Sequence, residues 1–292
     1  MEGMTAIEVY EQKRERIRKF NLVSDLFAAK VFEDLAACQE LCRILMRNPN
    51  LQLKDVKTQY VIRNLEGHSV QLDILAEELT GSLINVELQM YKEEAPFRRS
   101  RYYMSCIDMS ILGKGKAYYE LPSVTVLYIT RTDFIGGKKG LYQIRRKTNT
   151  KSSLGIDLDN GLCEKYFNLR YPTRYKSINE LLRYLENSDP FYRTKVFPRI
   201  VERVKFFKVQ EEGVDIMCEI ADRIKMEGKI EGKIEGKIEG KIEVILELLE
   251  ELGKVPSKIV ERISRETDLV VLGRWIKCAA SATSITEFEG KM

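Results

Sequence analysis

The stretch Gln71 to Gln89, QLDILAEELTGSLINVELQ, carries two acids and an amide on otherwise apolar, β-patterned runs. Asp73 stands on the first run, Glu87 and Gln89 on the second, and Thr80-Gly81 lies between them. An ionised carboxylate beside Leu72, Ile74, Val86 and Leu88 is costly unless it is solvated, paired or bound to a metal ion. Glu87 and Gln89, two apart on a strand, share a face, and loop length decides whether Asp73 joins them. A two-residue loop, Thr80-Gly81, would pair Leu79 with Ser82 and set Asp73 opposite Leu88. A three-residue loop, Leu79-Thr80-Gly81, pairs Glu78 with Ser82 and sets Asp73 opposite Glu87. Gly81 falls where three-residue loops need the left-handed conformation, so the second register is expected; a bulge would reach the same end. Two carboxylates with Cβ atoms about 5 Å apart suit a hard divalent cation that takes oxygen ligands and keeps several waters, such as Mg²⁺. The same alternation also describes any half-exposed hairpin with polar residues on its wet face.

Charge is distributed unevenly around this hairpin. The chain has 48 Lys and Arg against 44 Asp and Glu, a formal balance of +4. Twelve of the basic residues fall between Phe97 and Lys151, where only Asp108, Glu120 and Asp133 oppose them. A helix bearing Arg98, Arg99 and Arg101, and a basic turn at Lys138-Lys139, have the charge to grip phosphates on either side of a scissile bond. Surface cations are also common as plain solubilising groups. Tyr102, Tyr103, Tyr118 and Tyr119 read as core aromatics, since nothing marks them as base-stacking platforms.

Together these residues and their flanks resemble the PD-(D/E)XK nuclease superfamily, in particular its branch of recombination-promoting nucleases and transposases. The resemblance begins at NLVSDLFAAKVFEDLAACQELCRIL (Asn21 to Leu45) and runs through Asp73, Glu87 and Gln89 to RRSRYYMSCIDMSIL (Arg98 to Leu112). It continues through SVTVLYIT (Ser123 to Thr130), Asp133, DLDNGLCEKYFNL (Asp157 to Leu169) and the Gly-Lys-Ile-Glu tail, covering most of residues 21 to 250. It implies that Asp73 and Glu87 hold Mg²⁺ or Mn²⁺, and that Gln89 stands where many members of the superfamily have lysine. A neutral amide positions a water by hydrogen bonds and does not deprotonate it. The family also implies a further acid on the first helix, after a Val-Phe pair. Ala36 occupies the expected position, and Glu33, Asp34 and Glu40 are the acids on offer; Glu40, one helical turn from Ala36, is the choice here. All three also fit a solvated helix face.

The elements that must position these groups follow from periodicity. A helix is expected over 25–47, strands near 57–64, 69–77 and 83–90, a helix over 97–112, strands at 123–130, 141–146 and 163–168, and helices over 178–187 and 194–208. That order predicts an α/β fold, a mixed central sheet flanked by helices, with a helical C-terminal extension; by resemblance the core is restriction-endonuclease-like. Four segments are expected: an N-terminal helical arm (1–20), the nuclease-like domain (21–211), a long helix of Lys-Ile-Glu-Gly repeats (212–252) and a small helical segment (253–292). Gly228, Gly232, Gly236 and Gly240 each cost such a helix about 1 kcal/mol relative to Ala. The repeat fits a rod for homo-oligomerisation and equally an expandable DNA tract of little selected function.

Other classes are disfavoured. The single histidine, His68, excludes a histidine-rich metal centre, and six scattered cysteines form no paired zinc spacing. No phosphate-binding glycine loop occurs in the main domain, and no apolar run reaches the roughly 20 residues a membrane span needs. Charges fill the opening MEGMTAIEVYEQKRERIRKF, where an export signal needs its apolar stretch, so a cytoplasmic location and no membrane partner are expected. The leading expectation is a divalent-metal-dependent DNA endonuclease promoting recombination or transposition with little sequence preference. Its alternatives are a catalytically inactive nuclease derivative that binds DNA or oligomerises, and a globular domain that does neither.

Overall fold

The computed structural model describes residues 6–64, 67–90, 96–147 and 158–292; Leu65 and Glu66 of the His68 turn, Lys151 and Asp157 lie outside them. Six strands form one mixed sheet: β1 (Leu53–Ile62), β2 (Val70–Glu78), β3 (Leu83–Gln89), β4 (Val124–Thr130), β5 (Leu141–Ile144) and β6 (Leu162–Asn168), in the order β1-β2-β3-β4-β6-β5. The two hairpin partners β1–β2 and β2–β3 are antiparallel, β3–β4 and β4–β6 parallel, and β5 closes the far edge antiparallel to β6. Central position explains why LINVELQ and VTVLYIT are buried almost throughout. β2 instead alternates, burying Val70, Leu72, Ile74 and Ala76.

Helices cover the two faces. On one side lie α1 (Ala6–Arg18), α2 (Asp25–Phe32), α3 (Leu35–Met46), α5 (Lys176–Asn187) and α6 (Pro198–Val209), packed around Phe27, Phe32, Leu41, Ile84 and Ile129. α5 shows why: Ile178, Leu181, Leu182 and Leu185 recur at helical spacing and are all buried. Each contributes about 1.5–3 kcal/mol relative to exposure. On the other side α4 (Pro96–Ile111) buries Tyr103, Met104, Cys106 and Ile107 against Val126, Tyr128 and Tyr166.

The single helix expected over 25–47 is two. Asp34 has extended backbone (φ −74, ψ 117), and its carboxylate accepts the Ala37 N–H at 2.9 Å, capping α3 where a continuous helix would have buried that donor in its own ladder. Ala36 is exposed on the first turn after this break. Tyr118 and Tyr119, expected in the core, are 83% and 89% exposed, while Tyr103 is buried.

The chain divides into two compact units, Met1–Cys218 and Glu219–Met292. Helix α7 (Glu211–Glu250) carries the repeat; a Cβ at Gly228, Gly232, Gly236 or Gly240 would meet nothing within 4 Å. Ile230 and Ile234 are exposed, whereas Ile238 and Ile242 pack against the core that α7 shares with α8 (Ser257–Ser264), α9 (Leu269–Ser281) and α10 (Ile285–Lys291). The four-residue period drifts about 40° per repeat around a 3.6-residue helix, which moves the isoleucine row off any one face. Trp275 is buried inside this second unit.

Gly81 sits at φ 86 with open space around its Cβ position. Gly81→Ala is therefore expected to cost about 1 kcal/mol through backbone conformation alone, with Gly81→Asn milder; urea unfolding of the three proteins measures it.

Candidate active site

Ile74 pairs with Val86, Leu75 with Asn85, Ala76 with Ile84 and Glu77 with Leu83. Glu78 N–H donates to Ser82 O at 2.8 Å and Gly81 N–H to Glu78 O at 2.9 Å, closing the three-residue loop Leu79-Thr80-Gly81. One step beyond the Ile74–Val86 pair, this register sets Asp73 opposite Glu87. The Asp73 carboxylate reaches across and accepts the Leu88 N–H at 2.8 Å. Glu87 is 4% exposed and accepts from the Asn85 amide at 2.9 Å; the Asn85 side chain is wholly buried, and its own oxygen has no partner.

Electrostatics ties further residues to the pair. Burial pushes the Asp73 carboxyl up to about 6; the Leu88 N–H opposes this, the charge of Asp25 adds to it, and Arg99 and the Gln59 amide draw it back. Glu87 is lifted well above the usual carboxylate range, first by burial and then by the charge of Asp73, against the pull of Asn85 and Arg99. Asp25, the first residue of α2, is itself raised by burial and held down partly by Arg99. Arg99 donates to the Tyr103 hydroxyl at 2.6 Å, with its guanidinium over that ring. Three acids thus share one guanidinium. Among the described residues no three His, Cys, Asp or Glu side chains stand close enough to cage a metal ion, and a cation here would complete its shell with water and other oxygens, as Mg²⁺ does when one or two carboxylates hold it.

Gln89, half-buried, lines a cleft of about 410 Å³ together with Asn21, Ser24, Asp25, Met90 and Arg131. Gln59 lies on β1 level with Asp73, between the pairs Thr58–Ile74 and Tyr60–Leu72, and has φ 49. The apolar sides of the hairpin change cores here: Val56, Ile74 and Ala76 join the α2–α3 side, Tyr60, Ile62, Val70 and Leu72 the α4 side. A non-glycine residue at positive φ costs about 1–2 kcal/mol, and such strain collects at functional sites.

The other expected residues separate. Arg98, Arg99 and Arg101 are all exposed on α4, and of the three the charge of Arg99 is the one that acts on Asp73 and Glu87. Lys138 and Lys139 lie in the turn organised by Asp133, whose carboxylate accepts the Gly136 and Lys138 N–H groups at 3.0 and 2.8 Å. Glu40 accepts the Ile200 N–H at 3.1 Å, at the N-terminus of α6, and is absent from the charges that act on Asp73 and Glu87. Glu33 pairs with Lys30 at 2.7 Å, and Asp34 caps α3. The first-helix acid whose charge does act on Asp73 is Asp25; in the sequence an acid after Ser24 reads as ordinary first-turn charge. The signal available was the Asp34 break, which shortens the helix and separates the acids after Val31-Phe32 from its start.

A mixed sheet with helices on both faces and a carboxylate pair at its antiparallel-to-parallel junction is a restriction-endonuclease-like α/β arrangement. Residues 43–229, more than half of the chain, match the family of PD-(D/E)XK nuclease family transposases, and the chain belongs to that family. Asp73, Glu87, Gln89 and the α4 arginines fall inside the match; Asp25 and Glu40 precede it. No curated protein and no solved structure matches the chain. Among the described residues no helix is long and apolar enough to cross a membrane.

The raised Asp73 carboxyl sets a pH dependence for the metal-free protein. The folded state holds that proton up to about pH 6, the unfolded chain only to its ordinary value of 3.8. Stability is therefore lost as pH rises from about 4 to 6 and stays lost above; two pKa units correspond to roughly 3 kcal/mol. Asp73→Asn, which can still accept the Leu88 N–H, is expected to stabilise the protein in EDTA at pH 8 by up to that amount and to lose the advantage near pH 4. Urea unfolding at both pH values checks it.

Proposed function

We propose that the protein is a divalent-metal-dependent DNA endonuclease, hydrolysing phosphodiester bonds with little sequence preference in the service of recombination or transposition. The observation that carries this reading is the opposition of half-buried Asp73 and buried Glu87, two carboxylates each raised in pKa with a single guanidinium to share. The donor set fits Mg²⁺ or Mn²⁺: hard oxygens in a buried site short of positive charge. Bound there, such a cation supplies polarisation of the scissile phosphate and a lower pKa for a coordinated water.

The chain's own groups divide the remaining work. Asp73 and Glu87 hold the cation through their carboxylate oxygens, Asp73 fixed by the Leu88 N–H and Glu87 by Asn85. Gln89 orients water or phosphate by hydrogen bonds and does not itself take a proton. Asp25, across the cleft from Gln89, takes the role sought on the first helix in place of Glu40. Arg99 limits repulsion among the acids, and Arg98 and Arg101 give sequence-independent contacts to the DNA backbone.

Plasmid nicking in Mg²⁺ tests the proposal: Asp73→Asn and Glu87→Gln are each expected to reduce it on the order of a hundredfold or more. Metal-dependent nicking that survives both changes would remove this mechanism. DNA binding without nicking by the unaltered protein would favour the inactive, nuclease-derived alternative.

A second comparison separates the two first-helix acids. Asp25→Asn is expected to lower the nicking rate at nearly unchanged stability. Glu40→Gln is expected to leave the rate within about twofold and not to lower stability, since burial holds the Glu40 carboxyl above its ordinary range and the amide oxygen can still accept the Ile200 N–H. Paired rate and urea measurements decide between them.

A further inference from the structure

A second basic site lies across the sheet from the carboxylates. Arg47, Lys138, Lys139 and Arg174, with Thr173 and Tyr175, line a groove of about 470 Å³ that has no acid in its wall. The four cations come from three separate places in the chain: the end of α3, the turn after β4 and the turn after β6. The Arg47 guanidinium stacks 3.8 Å from the Tyr175 ring centroid; that of Arg174 lies 5.0 Å away and donates to the Tyr175 hydroxyl at 2.7 Å. One aromatic ring thus holds two guanidinium groups in place before any ligand arrives.

Two independent features mark the groove as more than a solvated patch. Arg47 and Lys138 both have left-handed backbone, φ 59 and φ 52, two of the four described non-glycine residues at positive φ. At Arg47 it is the left-handed cap that ends α3, with the amide bonded to the Arg43 and Ile44 carbonyls, and at Lys138 the amide is held by Asp133; both positions carry an exposed long cation where glycine or asparagine would be the relaxed choice. Lys165 is half-buried nearby, its ammonium pulled below the usual lysine range by burial, with Arg47 and Arg145 adding repulsion. Positive charge is concentrated here against its own cost. Asp133, the acid of the adjoining turn, is engaged by backbone N–H groups.

Position relates the groove to the active site. The turns after β4 and β6 leave the sheet at the end where Gln89 stands, since Gln89 is level with Thr130 and Asn168. Leu141, in the groove wall, is level with Phe167, Ile129 and Leu88. Three inter-strand steps separate β5 from β3, about 14 Å, a distance that a few nucleotides of one DNA strand span.

We propose that this groove binds a backbone phosphate of the DNA a few nucleotides from the scissile bond. The proposal rests on DNA being the substrate and not on catalysis, so it is tested by binding. Arg47→Gln/Arg174→Gln in the full chain removes two of the cations, and Lys138→Gln/Lys139→Gln removes the other two from a different segment. Lys254→Gln/Lys258→Gln is the equal loss of charge elsewhere.

Fluorescence anisotropy with a 30-base-pair duplex (about three helical turns) in EDTA, across the range 50–200 mM NaCl, is the readout. Each groove variant is expected to bind about tenfold or more weakly, with a salt slope smaller by about 2; the control pair should change neither comparably. Wild-type affinity and slope in both groove variants would overturn the proposal, as would absence of wild-type binding at the lowest salt. Nicking in Mg²⁺ is scored separately. Binding through the groove without nicking would leave this site standing and remove the nuclease reading. Nicking with unchanged binding in the groove variants would do the reverse.

Discussion

Two carboxylates facing each other in a buried sheet are the constraint around which the rest is arranged. Like charges at that separation oppose each other's ionisation, and burial opposes both. The fold makes the pair tolerable with few groups: the Leu88 N–H on Asp73, the Asn85 amide on Glu87, and one guanidinium, Arg99, for the whole cluster. It does not neutralise them. The raised Asp73 and Glu87 leave a site that a small divalent cation would relieve, and that residual demand for positive charge links the fold to the chemistry proposed for it.

Rigidity comes from where the pair is placed. β3 is flanked by β2 and β4, so Glu87 cannot shift without breaking two ladders. The register with Asp73 depends on one left-handed glycine in a three-residue loop, because a slip by one residue would carry Asp73 to the opposite face. Beside the pair, the first hairpin turns between two cores at Gln59, a left-handed residue within a strand. Asp25 arrives from the other side, at the start of a helix kept short by the Asp34 cap.

Much of this was readable from residue order. Alternation located each strand to within a few residues, and Gly81 chose the register that brings Asp73 to Glu87. Failures came where one local pattern serves two structures. Helical periodicity is unbroken across Glu33 and Asp34, so a cap within it looks like a surface acid, and the acid after Ser24 looks like dipole compensation. Tyr118 and Tyr119 have the composition of core residues and lie on the surface, in a short 3₁₀ turn that buries none of its residues. The grouping of Lys138 and Lys139 with Arg47 and Arg174 depends on strand order in the sheet, which spacing along the chain does not encode.

Calorimetric titration of the metal-free protein with Mn²⁺ at pH 6 and pH 8, in buffers of different ionisation enthalpy, tests the central claim most directly. If Asp73 and Glu87 hold the cation, binding at pH 6 displaces protons from them. The account predicts weaker binding with more proton release at pH 6 than at pH 8, both differences shrinking in Asp73→Asn. Binding of unchanged affinity and no proton release at either pH, or the same behaviour in Asp73→Asn, would contradict it.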